Sequence, residues 1–433
     1  MTSASNGPRE VAAVAPPELG LTARQLIARA AALRPMLLER QAEVEERTYP
    51  AEDVHRAVQH AGIYRLFVPR RYGGYELDVP TFARVGIELA RGCPSTAWNV
   101  LLASNHALHV GSFFGERAQA EAFGDGDFRA PAVTAPIGVA KPRDGGWELN
   151  GSVAYCSGAP YSTHYMGQAL MPGGEGRQLL FLAPRSEFVM VEGSWGDLLG
   201  LKGSGSHTLR FDGGWVPAHF VLEDTLMVDV DVSDPANVPG VALHGNPMYG
   251  GRTMGLFTIT LASVMVGAVH NALDEYERQM HEKRTPLPPF VARRDDPDYQ
   301  RYFGAAMAKI ATAEAALLQA CEQHMEHCRR AAEDGVAYSY GADMLVGCIA
   351  REVMVAAWET MQADIFRTSG SSSSRHGERL ERIYRDLSMG NSHRNTLLRD
   401  FAYRAVAMER LGIPRVAVGR APSGRAASQE AAR

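Results

Sequence analysis

Apolar residues recur at three- and four-residue spacing from Leu21 to about Asp127, the period of helices with one buried face. A first run over residues 21–50 stops at Pro50, and a second, over 51–69, passes into a short apolar segment. A Gly-containing loop at 70–80 precedes two further helices within 81–114, broken at Gly92-Cys93-Pro94. Near residue 128 the texture changes to short extended runs separated by Gly-rich turns such as Asp144-Gly145-Gly146, and six to eight closely spaced strands predict a small barrel or sandwich. Helical periodicity returns after a polar stretch at 232–251 and persists in long pieces: 255–283, 297–333, 340–369 and roughly 378–411. Four long helices joined by short linkers predict a bundle. The fold class is therefore α+β and mostly α. A disordered leader (1–20) precedes an N-terminal helical domain (21–127), a central β domain (128–235), a C-terminal four-helix bundle (236–413) and a disordered tail (414–433).

Composition narrows the function classes. Hydrophobic residues make up 45% and charged residues 21% of the 433, as in an ordinary globular enzyme. A net charge of −5 with no basic block gives nucleic-acid binding no support. Five cysteines form no disulfide framework and suit a reducing compartment, so the cytoplasm is the expected location. Residues 1–20 lack the charged and apolar regions of a signal peptide, and no stretch of about 20 uninterrupted apolar residues predicts a membrane span.

Several local constellations carry chemistry. Tyr155-Cys156-Ser157-Gly158 offers an aromatic surface, a small side chain, a hydroxyl and close backbone approach; it equally reads as a hairpin turn. Ser204 and Ser206, in a Gly-Ser stretch beside Lys202, present hydroxyls and backbone N–H groups able to bind phosphate, or simply another turn. Trp98, Asn105 and His106 belong to one helical stretch, where a histidine is either a ligand group or a satisfied core residue. Cys321, His324 and Cys328 share a helical face, yet the surrounding amphipathic pattern favours packing, and no metal is expected. In the run 382–393, Arg385-Asp386 reads as a buried charged pair and His393 follows Asp386 by seven residues. If the helix is unbroken the two share a face and the carboxylate can orient the ring; if Gly390-Asn391-Ser392 breaks it, His393 lies on a loop.

The order of helical, β and helical segments, with the motifs at 62–74, 92–109, 135–164, 200–220 and 382–393, resembles the acyl-CoA dehydrogenase fold over about residues 21–413. Within that fold the chain is most similar to the two-component flavin-dependent monooxygenases of the hydroxyphenylacetate, hydroxylated-steroid and dibenzothiophene group. The resemblance implies hydroxylation of an aromatic or polycyclic phenol, using O2 and FMNH2 or FADH2 through a C4a-hydroperoxide. The reduced flavin would come from a separate NAD(P)H:flavin reductase, and a homotetramer is implied.

The resemblance also assigns roles. It places Ser157 beside flavin N5, with Tyr155 and Cys156 along the ring. It sets Ser204 and Ser206 by the ribityl and phosphate portion, and His106 with Asn105 or Trp98 on the substrate side. Arg367, before a run of serines, is a candidate for a neighbouring subunit's flavin phosphate, or part of an ordinary linker. His393 is assigned as the base that deprotonates the phenol, with Asp386 orienting it, since an unperturbed imidazole titrates near pH ~6.5. The segment 389–395 lacks the carboxylate an acyl-thioester dehydrogenase needs, and the remote candidates Glu275 and Glu277 read as solvent-facing. Alternatives are an N-oxygenase of an amine such as an amino sugar, an FAD-dependent acyl-thioester dehydrogenase, and a flavin-free scaffold.

Overall fold

The computed structural model describes residues 18–414 apart from Asp125 and Glu175; most of the expected leader and nearly all of the expected tail lie outside the described residues. The N-terminal helices are α1 (Ala23–Glu39), α2 (Gln41–Arg47), α3 (Glu52–His60), α4 (Val79–Gly92), α5 (Pro94–Ser104), α6 (His106–Phe113) and α7 (Glu116–Phe123). Local chemistry sets their starts. Thr22 and Gln25 form a reciprocal capping box on α1, and Asp78 caps α4 through the Thr81 N–H.

Eight strands follow: β1 (Ala132–Val139), β2 (Lys141–Arg143), β3 (Gly146–Val153), β4 (His164–Leu170), β5 (Gln178–Pro184), β6 (Val189–Val191), β7 (Thr208–Pro217) and β8 (Val221–Leu222). They form two four-stranded sheets, ordered β1-β4-β5-β8 and β2-β3-β7-β6, with β1 parallel to β4. The alternation along β4 and β5 explains how the strands are buried on both sides. Tyr165, Leu179 and Phe181 point into the space between the sheets, while Met166, Leu180 and Leu182 join the helical core.

The C-terminal part comprises α8 (Pro239–His244), α9 (Thr253–Glu282), α10 (Pro297–Glu333), α11 (Tyr340–Glu359), α12 (Arg367–Ser369), α13 (Arg379–Asn391), α14 (Arg394–Leu397) and α15 (Arg399–Arg410). A wide helical turn over Thr360–Phe366 joins α11 to α12. By length and composition α9 is apolar enough to cross a membrane, but 83% of that window is buried inside the fold. It is the central core helix, packed by α4, α10, α11 and α13. Its first N–H groups are satisfied by the Asp343 carboxylate on α11, which accepts from Met254 N at 3.2 Å and Gly255 N at 2.8 Å. The N-terminal helices and the bundle share one continuous core.

The fourth bundle helix differs from expectation. Instead of one rod over 378–411 it is three pieces, and the break falls at Ser392-His393, not at Gly390. Gly390 lies inside α13, where a Cβ would come within 2.5 Å of Met265 Sδ on α9, so it serves close helix packing. The serine run is also less of a loop than expected: Arg367 sits in helix and Ser371–Ser374 form a short 3-10 turn.

Candidate active site

A cavity of about 1040 Å³ opens between the β domain and the helices, at the upper end of the ~300–1,000 Å³ typical of ligand sites. Its β wall comes from β1 and the end of β3, its helical walls from α5, α6, α9, α11 and the α13–α15 break.

On the β side, the turn after β3 meets the segment before β7. Gly158 N donates to the Ser204 carbonyl at 3.2 Å, and Cys156 N to the His207 carbonyl at 3.2 Å. Gly158 adopts φ +86°, and a Cβ there would press against Ala103 Cβ at 2.7 Å and Asn99 O at 2.8 Å, so only glycine lets this turn seat against α5. The approach brings three hydroxyls into one chain. Ser157 Oγ lies 2.8 Å from Ser206 Oγ, which lies 2.7 Å from Ser204 Oγ, and Trp98 Nε1 donates to Ser157 Oγ at 3.1 Å. Ser204 and Ser206 are thus clustered with Ser157 and buried, a single polar spot where the sequence reading had distributed them along a cofactor.

Tyr155 and Leu201 line the same wall with left-handed backbones, φ 64° and 54°, strain that recurs at ligand sites. Tyr155 is 65% exposed and meets the half-buried Trp195 edge-on at 5.6 Å, so two large aromatics line the cavity together. Aromatic faces, adjacent hydroxyls and close backbone fit a flavin ring, whose flat apolar faces and polar edge need those partners. Cys156 is fully buried behind the turn and does not line the cavity.

On the helical side, two histidines line the cavity and carry opposite tautomers. His106 Nδ1 lies 2.7 Å from the Ala130 carbonyl, which only accepts; the proton is on Nδ1, and Nε2 is the acceptor of the neutral ring. At the helix break, His393 Nδ1 accepts the Asn395 backbone N–H at 3.1 Å, capping α14, so its neutral ring carries the proton on Nε2. Burial pushes both rings down to about 4, with Arg394 adding to the effect at His393 and the Ala130 carbonyl opposing it at His106. Both stay neutral at physiological pH. In this arrangement His393 faces the cavity with its Nε2–H as a hydrogen-bond donor, and its ring stands edge-on to Trp98 at 5.5 Å.

Asp386 does not orient His393. Its Oδ1 accepts the Leu201 N–H at 2.6 Å and its Oδ2 lies 3.4 Å from Ser95 Oγ, so the carboxylate anchors the loop that carries Ser204. The helix break separates it from His393, and it is absent from the cavity lining. Nor do Arg385 and Asp386 pair: Arg385 clamps Glu45 at 2.6 Å and Glu381 at 2.6 Å, while burial pushes the Asp386 carboxyl up to about 7. Asn105 is buried against Thr260, with its Nδ2 at 3.3 Å from Oγ1, and is likewise outside the lining. Arg367 is exposed over the Tyr302 ring, outside the cavity of its own chain.

The remote carboxylate Glu275 is buried, against expectation, and bonded to Arg278 at 2.6 Å and Gln279 at 2.9 Å; Glu277 is exposed, and neither lines the cavity. Among the described residues no cluster suits a metal, and His324 instead bonds the Tyr338 hydroxyl at 3.0 Å. Sequence reasoning missed Trp195, Phe257 and Arg351 in the lining. Only Arg351 left a signal: with Glu352 it interrupts the otherwise apolar run Leu345–Val355.

Family models of the acyl-CoA dehydrogenase N-terminal domain match residues 22–125, and of its C-terminal domain residues 259–397, together more than half of the chain. The chain is 28% identical over 377 residues to the flavin-dependent monooxygenase, oxygenase subunit HsaA, of Rhodococcus jostii (strain RHA1), spanning 84% of this chain and 92% of that one. It is 22% identical over 364 residues to the oxygenase component of p-hydroxyphenylacetate 3-hydroxylase from Acinetobacter baumannii, spanning 81% and 80%. Among solved structures, XiaF from Streptomyces sp. in complex with FADH2 and glycerol superposes with a TM-score of 0.81 at 22% identity, covering 91% of this chain and 97% of that one. The chain belongs to the acyl-CoA dehydrogenase family and, within it, stands with the flavin-dependent monooxygenases.

Proposed function

We propose that this chain is the oxygenase component of a two-component flavin-dependent monooxygenase that hydroxylates an aromatic or polycyclic phenol. The observation that carries this reading is the pairing, on one cavity, of an aromatic wall bearing a hydroxyl cluster with two neutral histidines of opposite tautomer. When bound, reduced flavin supplies the activation of O2. The chain's own groups do the rest. His106 Nε2 takes the phenol proton, and its Nδ1–H on the Ala130 carbonyl steadies the charged ring. His393 donates from Nε2 and holds negative charge developing in the cavity. Ser157, fixed by Trp98 and Ser206, orients the flavin edge.

A separate NAD(P)H:flavin reductase supplies FMNH2 or FADH2. Leu397 (78% exposed) and Phe401 at the cavity edge are apolar surface that a second subunit would cover, in keeping with a homotetramer. Five buried free cysteines accord with a cytoplasmic setting.

The dehydrogenase alternative needs a carboxylate base over the flavin, and Asp229 is the one carboxylate among the described lining residues, on the loop before α8. The test is single turnover: protein with reduced FMN or FAD is mixed with O2 and a phenol panel, followed by absorbance and product analysis. A transient absorbance before oxidised flavin, with a hydroxylated phenol, is expected. Direct formation of oxidised flavin with all equivalents released as H2O2, and no phenol altered, overturns the reading. Bleaching of an as-purified yellow protein by acyl-CoA would assign it as a dehydrogenase.

A further inference from the structure

Among the described residues Arg351 is the largest side chain buried to under 2%, and it lines the cavity. Its Nε donates to the Asn395 carbonyl at 3.0 Å, but among the described residues neither Nη1 nor Nη2 has an oxygen or nitrogen partner. A guanidinium removed from water costs several kcal/mol unless its donors are met, and more than about 90% of buried polar groups are met. The nearby acids are committed elsewhere. Asp343 accepts from the start of α9, while Glu352 accepts from Tyr403 and lies 3.8 Å from Arg399. The Cys348 thiol also faces the guanidinium, a weak partner.

Room has been left for the group. At Gly347, one turn before Arg351 on α11, a Cβ would come within 2.9 Å of Nη1. Of the other charged lining residues, Arg394 adds a second cation and Asp229 is the single carboxylate.

We infer that Arg351 receives a carboxylate on the substrate, held by its two outer nitrogens, so that the preferred substrate is a phenol bearing an acid group. A planar guanidinium with two free parallel N–H edges matches a carboxylate in shape and charge. The Asn395 residue links this group to the reacting end. Arg351 Nε donates to its carbonyl, and its N–H donates to His393 Nδ1, so one residue holds both side chains at the cavity wall. The inference rests on the oxygenase reading for assigning the cavity to a phenol.

Trp98 and Trp195 in the lining make intrinsic fluorescence a report of occupancy without turnover. The probes are para-hydroxyphenyl acids with one, two or three methylenes before the carboxyl, each beside its methyl ester. At least one acid is expected to bind about tenfold more tightly than its ester. In R351M that ratio falls to about one by loss of acid affinity, and R351K keeps part of it. FMN affinity, read by flavin fluorescence, is expected to hold in both variants. No acid preference in the unmodified protein, an unchanged ratio in R351M, or parallel loss of acid and ester would each overturn the inference. A selective fall in FMN affinity would overturn it too, assigning Arg351 to the cofactor. Acid preference with no oxygenation in single turnover would sink the oxygenase reading and leave Arg351's role standing.

Discussion

The backbone N–H of Asn395 donates to Nδ1 of His393 at 3.1 Å, and this one bond decides what the histidine can do. A neutral imidazole carries one proton. With Nδ1 occupied as an acceptor, that proton sits on Nε2 and is offered to the cavity. On the proposed reading, proton removal from a phenol falls to His106, whose Nδ1 donates to Ala130 and whose Nε2 keeps its lone pair.

The donor role predicts an asymmetry among substitutions at 393. H393A should lower hydroxylated product per reduced flavin consumed by about 10²-fold, the usual loss for one donor at developing charge. H393Q, which keeps an N–H donor but no useful base, should recover much of it. Product yield as low in H393Q as in H393A would return the residue to the role of base.

The two low histidine values predict a flat acid limb. Because burial holds His106 and His393 at about 4, both are already neutral at pH 6, and kcat/KM for hydroxylation should show no enzyme inflection between pH 6 and 8. A clear break near pH ~6.5, where an unperturbed histidine titrates, would contradict the geometry. The same burial acts on stability. His55, His106 and His324 are held below 6.5, to about 2, about 4 and about 4. The unfolded chain therefore binds protons the folded one refuses, and Tm should fall as pH drops from about 6.5 towards 4.

How much of this was readable beforehand follows from the range of each signal. The helix expected over 297–333 is α10 as observed, because period and cap both lie in the local sequence: Asp296 caps and Pro297 begins it. The break at His393 has no proline to mark it; it depends on a side chain turning back to cap its own following turn. Arg385 and Asp386 are neighbours in sequence, but successive helical positions point about 100° apart and find different partners. Glu275 looked solvent-facing because the arginine on α13 that helps bury it, Arg379, is remote in the chain. The cavity residues were legible as types in the right order. Which of them share a hydrogen bond was not, since that depends on the meeting of β3, β7 and α5.

The hydroxyl chain predicts an uncoupled S157A. Removing Ser157 Oγ strands the buried Trp98 N–H and opens the chain to Ser206, a cost of about 1–3 kcal/mol in stability. Flavin oxidation should continue while H2O2 rises at the expense of hydroxylated product, measured as the ratio of the two. W98F, which deletes the donor but keeps the hydroxyl chain, should uncouple less. Equal uncoupling in both variants would mean that the indole, and not the serine, holds the flavin edge.

Asp386 predicts a pH-dependent gain from its own neutral isostere. Burial raises its carboxyl to about 7 in the folded chain against 3.8 unfolded, so its protonated form is favoured by folding. That contribution is fully present below pH 3.8 and is lost as pH rises through about 7, where the folded state must hold an ionised carboxylate. D386N keeps an oxygen for the Leu201 N–H and never ionises. Its Tm should match the unsubstituted protein below pH 3.8 and exceed it at pH 8, by the equivalent of up to about 4 kcal/mol. D386A removes the acceptor altogether; the Leu201 N–H is stranded and the 200–206 segment loosens, lowering Tm at every pH and product yield with it. Since Asp386 positions a loop and touches no substrate, D386N should retain near-normal product yield. A collapse of yield in D386N with its Tm intact would show that the carboxylate acts on the reaction itself.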